Sequence, residues 1–450
     1  MRPQLALSFG ASVLLAGCSA IVDHFSFADL MDGGGLDAEV TQDAGLVDSG
    51  SVVDAGSDAG VVDAAVADAG PADAGPGDPC DTLDCPWGCT VGACVEPQHV
   101  EVGGRHSCVV LSTGLTRCWG KNTDGQLGDG SFADSSSPVL LTGLPMHRSL
   151  SLGGGHSCAV RPSGETLCWG LNIVGQLGDG SVENANTPQL ISGLASADVV
   201  SAGSFHTCAV LRSGAVRCWG QNDKGALGNG TTTGTFAPNP DPVAVMDMSD
   251  AVSVTSGSGF SCALRSGRTV SCWGWNEWGQ LGDGTSAAMS TTPTDVVGLS
   301  GVDQVVAGGW HACARVGGAV RCWGRNDSGQ LGTTLFGAVE REPVVVSGLS
   351  DAIDIAAGAA HTCALRATGQ VVCWGANDLG QIGDGTDVDP RPTRREVVGL
   401  AVIEDIGSLG NHTCAVGGGE VWCWGANDFG QLGTDAAVVG SSNEPLRVMP

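Results

Sequence analysis

The sequence predicts an all-β chain: a seven-bladed β-propeller of four-stranded blades, preceded by a disordered acidic linker and a small cysteine-rich module. Three observations carry this. A Cys-Trp-Gly element starts at Cys118, Cys168, Cys218, Cys272, Cys322, Cys373 and Cys423, at spacings of 50, 50, 54, 50, 51 and 50 residues. Each unit holds four short strand signals. No unit holds a useful stretch of 3.6-residue apolar periodicity. A turn-rich period near fifty marks a repeat architecture, and strands without helices make each unit a blade rather than a turn of a helical solenoid.

In chain order, residues 1–18 have the three parts of an export signal: Arg2, an apolar run from Leu5 to Ala16, and small residues before a cleavage point. Leu15-Ala16-Gly17-Cys18 resembles the bacterial lipobox, which implies that Cys18 is lipidated and becomes the new N-terminus. Ser19, rather than Asp, after that cysteine implies sorting to the outer membrane or cell surface. The run from Leu5 to Ala16 is too short to span a bilayer, and no apolar run reaches the roughly 20 residues of a membrane span.

Residues 19–79 hold thirteen Asp or Glu and no Lys or Arg, with Asp-Ala-Gly recurring from Asp43 to Asp73. Such a segment buries too little apolar surface to offset its chain entropy, so a solvated, self-repelling linker is expected. Residues 80–97 carry Cys80, Cys85, Cys89 and Cys94 around Trp87. At that density in an exported chain, two disulfides in a small module are expected. The absence of His and of paired two-residue spacings argues against zinc.

Residues 98–450 are the repeats, and the sixth is the clearest. Ala352–Ala356 alternates, His361–Leu365 and Val371–Trp374 flank the Thr368-Gly369 turn, and Pro392–Val398 gives an outer strand after a loop from Gly375 to Gly385. Repeat three has a longer outer loop, Thr231 to Pro240. Each repeat also carries a cysteine ahead of its Cys-Trp-Gly: Cys108, Cys158, Cys208, Cys262, Cys313, Cys363 and Cys414. The gap to its partner is ten residues in five repeats. It is nine in repeats five and seven, which have the two-residue turns Gly317-Gly318 and Gly418-Gly419. Turn length and spacing shift together, which sets the cysteines opposite one another across a hairpin. Seven cross-strand disulfides are therefore expected. Nineteen cysteines less a lipidated Cys18 leave nine pairs.

The Gly-x-x-His-[Ser/Thr]-Cys-Ala phrase and Trp-Gly-x-Asn-x-x-Gly-Gln-Leu-Gly resemble the regulator of chromosome condensation repeat, over about residues 98–450. The resemblance implies a seven-bladed propeller. Gly259-Phe260-Ser261 departs from it in repeat four. How the ring closes stays open: residues 98–102 and 445–448 could share a blade, or blades could coincide with repeats.

Function is less legible. His106, His156, His206, His311, His361 and His412 occupy equivalent places. They are expected to tie each blade's own backbone rather than to hold metal, since no second ligand type accompanies them. No catalytic arrangement stands out of register with the repeats, so a non-catalytic chain without cofactor is expected. A net charge of −28 opposes nucleic acid. Three loop positions vary freely between copies, and large aromatics gather in repeats three to five. Phe205, Phe260, Trp275, Trp278 and Trp310, beside Lys224 and Arg325, are the candidate partner-binding residues, because aromatic and Arg side chains on loops are what binding hot spots use. The expected function is a monomeric envelope lipoprotein that binds a protein or other ligand. The alternative implied by the resemblance is guanine-nucleotide exchange on a small GTPase.

Overall fold

The computed structural model describes residues 85–90, 93–194, 196–334 and 337–450. The expected export signal with Cys18, the expected acidic linker and Cys80 lie outside the described residues. The repeats form seven four-stranded antiparallel sheets, each made of strands consecutive in sequence. Blade 1 consists of Pro97–Val102, His106–Leu111, Thr116–Gly120 and Ser135–Leu140; blade 7 of Asp405–Ser408, His412–Gly417, Glu420–Ala426 and Ser441–Arg447. Blades therefore coincide with repeats, and residues 98–102 and 445–447 belong to different sheets. In repeat six the strands run Ala352–Ala357, His361–Arg366, Val371–Gly375 and Arg391–Glu396. The outer strand lies one to two residues earlier than the sequence pattern suggests. The long loop of repeat three shortens its outer strand to Val243–Ala244, because Asn239 takes over part of the pairing: its carbonyl accepts from Gly220 N and its amide donates to Gly220 O.

The expected cysteine register is observed. Each pair is directly opposite across the second and third strands, as Cys208↔Cys218 and Cys313↔Cys322 show. All seven are bonded, with Cα–Cα distances of 4.0–4.1 Å. Cys85 is bonded to Cys94, and Cys89 is also disulfide-bonded.

The core is divided among the seven seams between blades rather than gathered at one centre. At each seam the Cys-Trp-Gly tryptophan of one blade packs on its neighbour and donates its indole N–H backwards, as from Trp169 to Gln126 O and from Trp219 to Gln176 O, both at 2.9 Å. The same bond closes the ring, from Trp119 to Gln431 O at 2.9 Å. The segment linking one blade to the next adds apolar residues three apart, such as Val296, Leu299 and Val302, or Val346, Leu349 and Ala352.

The histidines tie blades to each other, which corrects the expectation that each binds its own blade's backbone. His106 Nε2 meets Ser157 Oγ of the next blade at 2.9 Å, and His156 meets Thr207, His311 meets Thr362, His361 meets Thr413 and His412 meets Ser107 in the same way. Ser157 Oγ spends its proton on Gln126 O, so His106 must donate from Nε2 and leave Nδ1 as a bare lone pair. Phe260 takes the histidine place in blade 4. Its partner position in blade 5 is Ala312, where every other repeat has Ser or Thr. Donor and acceptor are replaced together, which avoids a buried unpaired hydroxyl.

The last glycine of the Gly-Gln-Leu-Gly phrase makes room for the next blade's tryptophan in the first six repeats, and for Val448 at Gly433. A Cβ on Gly178, at φ +73°, would lie 2.6 Å from Trp219 Nε1, whereas one on Gly180, at φ +84°, has nothing nearer than 3.9 Å. Gly180→Ala is expected to cost only the left-handed backbone penalty of about 1–2 kcal/mol. Gly178→Ala also displaces Trp219, so its melting temperature should fall at least twice as far.

Candidate functional site: the loop face

Two loops of every blade emerge at the same end of the propeller. One joins the first strand to the second and the other joins the third to the fourth. They are tied together, as by Lys121 N donating to Arg105 O and Trp275 N to Gly259 O, both at 2.9 Å. The second loop is held by its asparagine. Asn122 Oδ1 accepts from Leu127 N at 2.9 Å and its Nδ2 reaches Asp129 and Ser131 across the loop. The equivalent Oδ1 bond recurs in all seven blades. The recurring Asn is thus a scaffold for the variable positions, a role its repetition in the sequence marks but does not explain.

The variable side chains meet across seams, not within a repeat. The residue before Gly-Gln in one blade faces two from the next: the one before the His phrase and the one after Trp-Gly. At the seam of blades 4 and 5, Arg325 lies over Trp278 at 4.9 Å and over Trp310 at 4.7 Å. At blades 3 and 4, Lys224 lies over Trp275 at 5.2 Å, beside Gly259. At blades 7 and 1, Arg105 and Lys121 both lie over Phe429, at 5.0 and 5.5 Å. Each is a cation held against an aromatic face. Asp327 also holds Arg325, accepting from its Nε at 2.7 Å. Burial raises the Asp223 carboxyl above its usual range, and adjacent Lys224 opposes the shift.

Of the six candidate partner-binding residues, Phe205, Trp275, Trp278 and Arg325 are half-buried on this face. Trp310 is 8% exposed and lies beneath Arg325. Phe260 is fully buried. It is removed from the set, because it belongs to the seam in the histidine's place. The Phe429, Arg105 and Lys121 group was missed, since its aromatic and its cations stand at opposite ends of the sequence.

The second polar feature is the central channel. The seven first strands line a cavity of about 240 Å³. In it His99 gives one ring nitrogen to Glu101 and the other to Asp405, each at 2.9 Å. Desolvation opposes its charge, but hydrogen bonds to Asp405 and Glu101 outweigh this and raise the pKa to about 11. The side chain is 46% accessible to the channel, so its ion pairs are partly solvated. Among the described residues no three His, Cys, Asp or Glu converge as metal ligands.

The regulator of chromosome condensation (RCC1) repeat matches residues 118–160, 163–210, 213–264, 269–315, 317–365 and 418–450, and a second form of it matches 98–126, 199–226, 251–280 and 352–381. The chain belongs to the RCC1 repeat family. A search of curated sequences finds no match. Among solved structures, the RCC1 fold recurs in Kap60 bound to yeast RCC1 (Prp20), with TM-score 0.67 and 20% identity over 79% of this chain and 84% of that one. It recurs in Prp20p from Saccharomyces cerevisiae, described with its binding to Gsp1p and histones, at TM-score 0.65 and 21% identity over 79% and 86%. Human WBSCR16 matches at TM-score 0.64 and 20% identity over 71% and 86%. At these identities the likeness of this RCC1-repeat chain to them is one of fold.

Proposed function

We propose that this chain is an envelope lipoprotein, anchored through Cys18, whose propeller is a non-catalytic scaffold binding a protein partner by its loop face. The observation that carries the reading is the pair of adjoining seams where Lys224 and Arg325 stack on Trp275, Trp278 and Trp310. Stacking pre-orders these large side chains, so less rotamer entropy remains to be lost on binding. The export signal and the oxidised cysteines favour an extracytoplasmic site. Yeast relatives of this fold bind protein partners, which supports a binding role without naming the partner.

Crosslinking on intact cells, followed by affinity capture, tests this. Trp275→Ala combined with Trp278→Ala should reduce recovery of the crosslinked partner at least tenfold. Leu115→Ala, on the opposite face and 39% exposed, should leave it unchanged. Equal recovery by both variants would remove the loop face from the account. The exchange reading, favoured by the family, is checked by GDP release from a small GTPase with the same preparation. Release accelerated at catalytic concentrations would replace the scaffold reading.

A further inference from the structure

The chain itself crosses six of the seven seams, and the crossing segment fills them. From blade 5 to blade 6 it brings Val346, Leu349 and Ala352 into the seam core. The seventh seam has no such segment, because blade 1 is entered from residue 96 and not from blade 7. Its apolar core nevertheless contains Trp87 and Val95 beside Val448, with Trp87 only 4% exposed.

The equivalences can be followed residue by residue. Val448 N donates to Val421 O as Val346 N does to Val320 O. Ser112 N donates to Glu96 O as Ala367 N does to Asp351 O, and Pro97 pairs with Leu111 as Ala352 pairs with Arg366. The place of Leu349 is the one left to fill. Cys94 stands there in sequence, bonded to Cys85. Gly88 N donates to Cys85 O and Val95 N to Gly88 O, a turn that holds Trp87 over the seam.

We infer that the cysteine-rich module is the closing wedge of the ring, with Trp87 serving at the seventh seam as the crossing segments serve at the other six. The module therefore stabilises the one seam that no covalent connection spans, between the first strand of blade 1 and the second and third strands of blade 7. It works alongside the His99 bridge from Glu101 to Asp405, which ties the same two blades on the channel side.

Hydrogen exchange of the full oxidised chain, read by mass spectrometry, tests the wedge. Trp87→Ala should speed exchange at least tenfold in Pro97–Val102, His412–Gly417 and Glu420–Ala426, and leave blades 3 to 5 unchanged. Leu349→Ala should do the same at its own seam only. Val95→Ala is a milder truncation that should give a smaller increase in the same strands, and it serves if Trp87→Ala does not fold. Unchanged exchange at the seventh seam in Trp87→Ala, or in Val95→Ala where that variant stands in, would overturn the inference. So would an increase spread evenly over all blades.

Discussion

Reduction of the seven blade disulfides is expected to unfold the ring, and a reductant is expected not to achieve it while the ring is folded. Each bridge closes a loop of about ten residues, worth roughly 2.5 kcal/mol in the chain-entropy description. Seven amount to something on the order of 18 kcal/mol, more than the 5–15 kcal/mol by which domains are usually stable. All fourteen cysteines are fully buried, so a thiolate cannot reach them without local opening, whereas Cys85 and Cys94 are partly exposed. Treatment with a dithiol under native conditions, then alkylation and peptide mapping, should label the module's cysteines and spare those of the blades. With denaturant present, all should be labelled. Labelling of Cys208 or Cys218 in folded protein would contradict this. Cys208→Ala together with Cys218→Ala should lower stability by about 2–4 kcal/mol and, because the pair packs on Val254, Ala263 and Trp273 of blade 4, speed exchange in blades 3 and 4 while leaving blades 6 and 7 unchanged.

Acidification from pH 7 to pH 5 should remove on the order of 10 kcal/mol of stability. Burial lowers His106, His156, His311 and His412 to about 3, and His206 and His361 to about 4. Each is hydrogen-bonded through Nε2 to a hydroxyl of the next blade, and each Nδ1 is buried without a partner among the described residues. The unfolded chain takes up protons below 6.5 while the folded ring refuses them. Stability is therefore full above about 6.5 and falls as the pH drops towards the folded values, by roughly 2 kcal/mol per histidine at pH 5. His99 has the opposite sign. Its contribution is full below 6.5 and is lost as the pH rises towards about 11. The natural Phe260 and Ala312 pair supplies the control. His206→Phe with Ser261→Ala copies it one seam earlier and should reduce the acid loss by about one sixth. Melting temperatures across pH 4.5–8 read both effects, and a flat profile over that range would refute the six buried neutral imidazoles.

What could be read from the sequence is what repeats within a unit. The cysteine gap and the turn length changed together in repeats five and seven, and that covariation fixed the hairpin register and the disulfides. What could not be read is what crosses a seam. The histidine's partner is the residue after the next repeat's histidine, so the joint loss at Phe260 and Ala312 is visible only when repeats are compared in neighbouring pairs. The same blindness kept Phe260 in the aromatic patch, separated Phe429 from Arg105 and Lys121, and hid the place of Trp87 in the core. The His99 bridge left no repeated signal, because channel-lining residues differ from blade to blade.

The central claim is that an exported chain closes seven individually stapled blades into a ring. It is tested most directly by blocking free thiols in intact producing cells, then mapping the purified protein without reduction. Linked peptides are expected for Cys108–Cys118 and its six counterparts, with no alkylated blade cysteine. Alkylated thiols at all seven pairs would contradict both the oxidising location and the stapled ring.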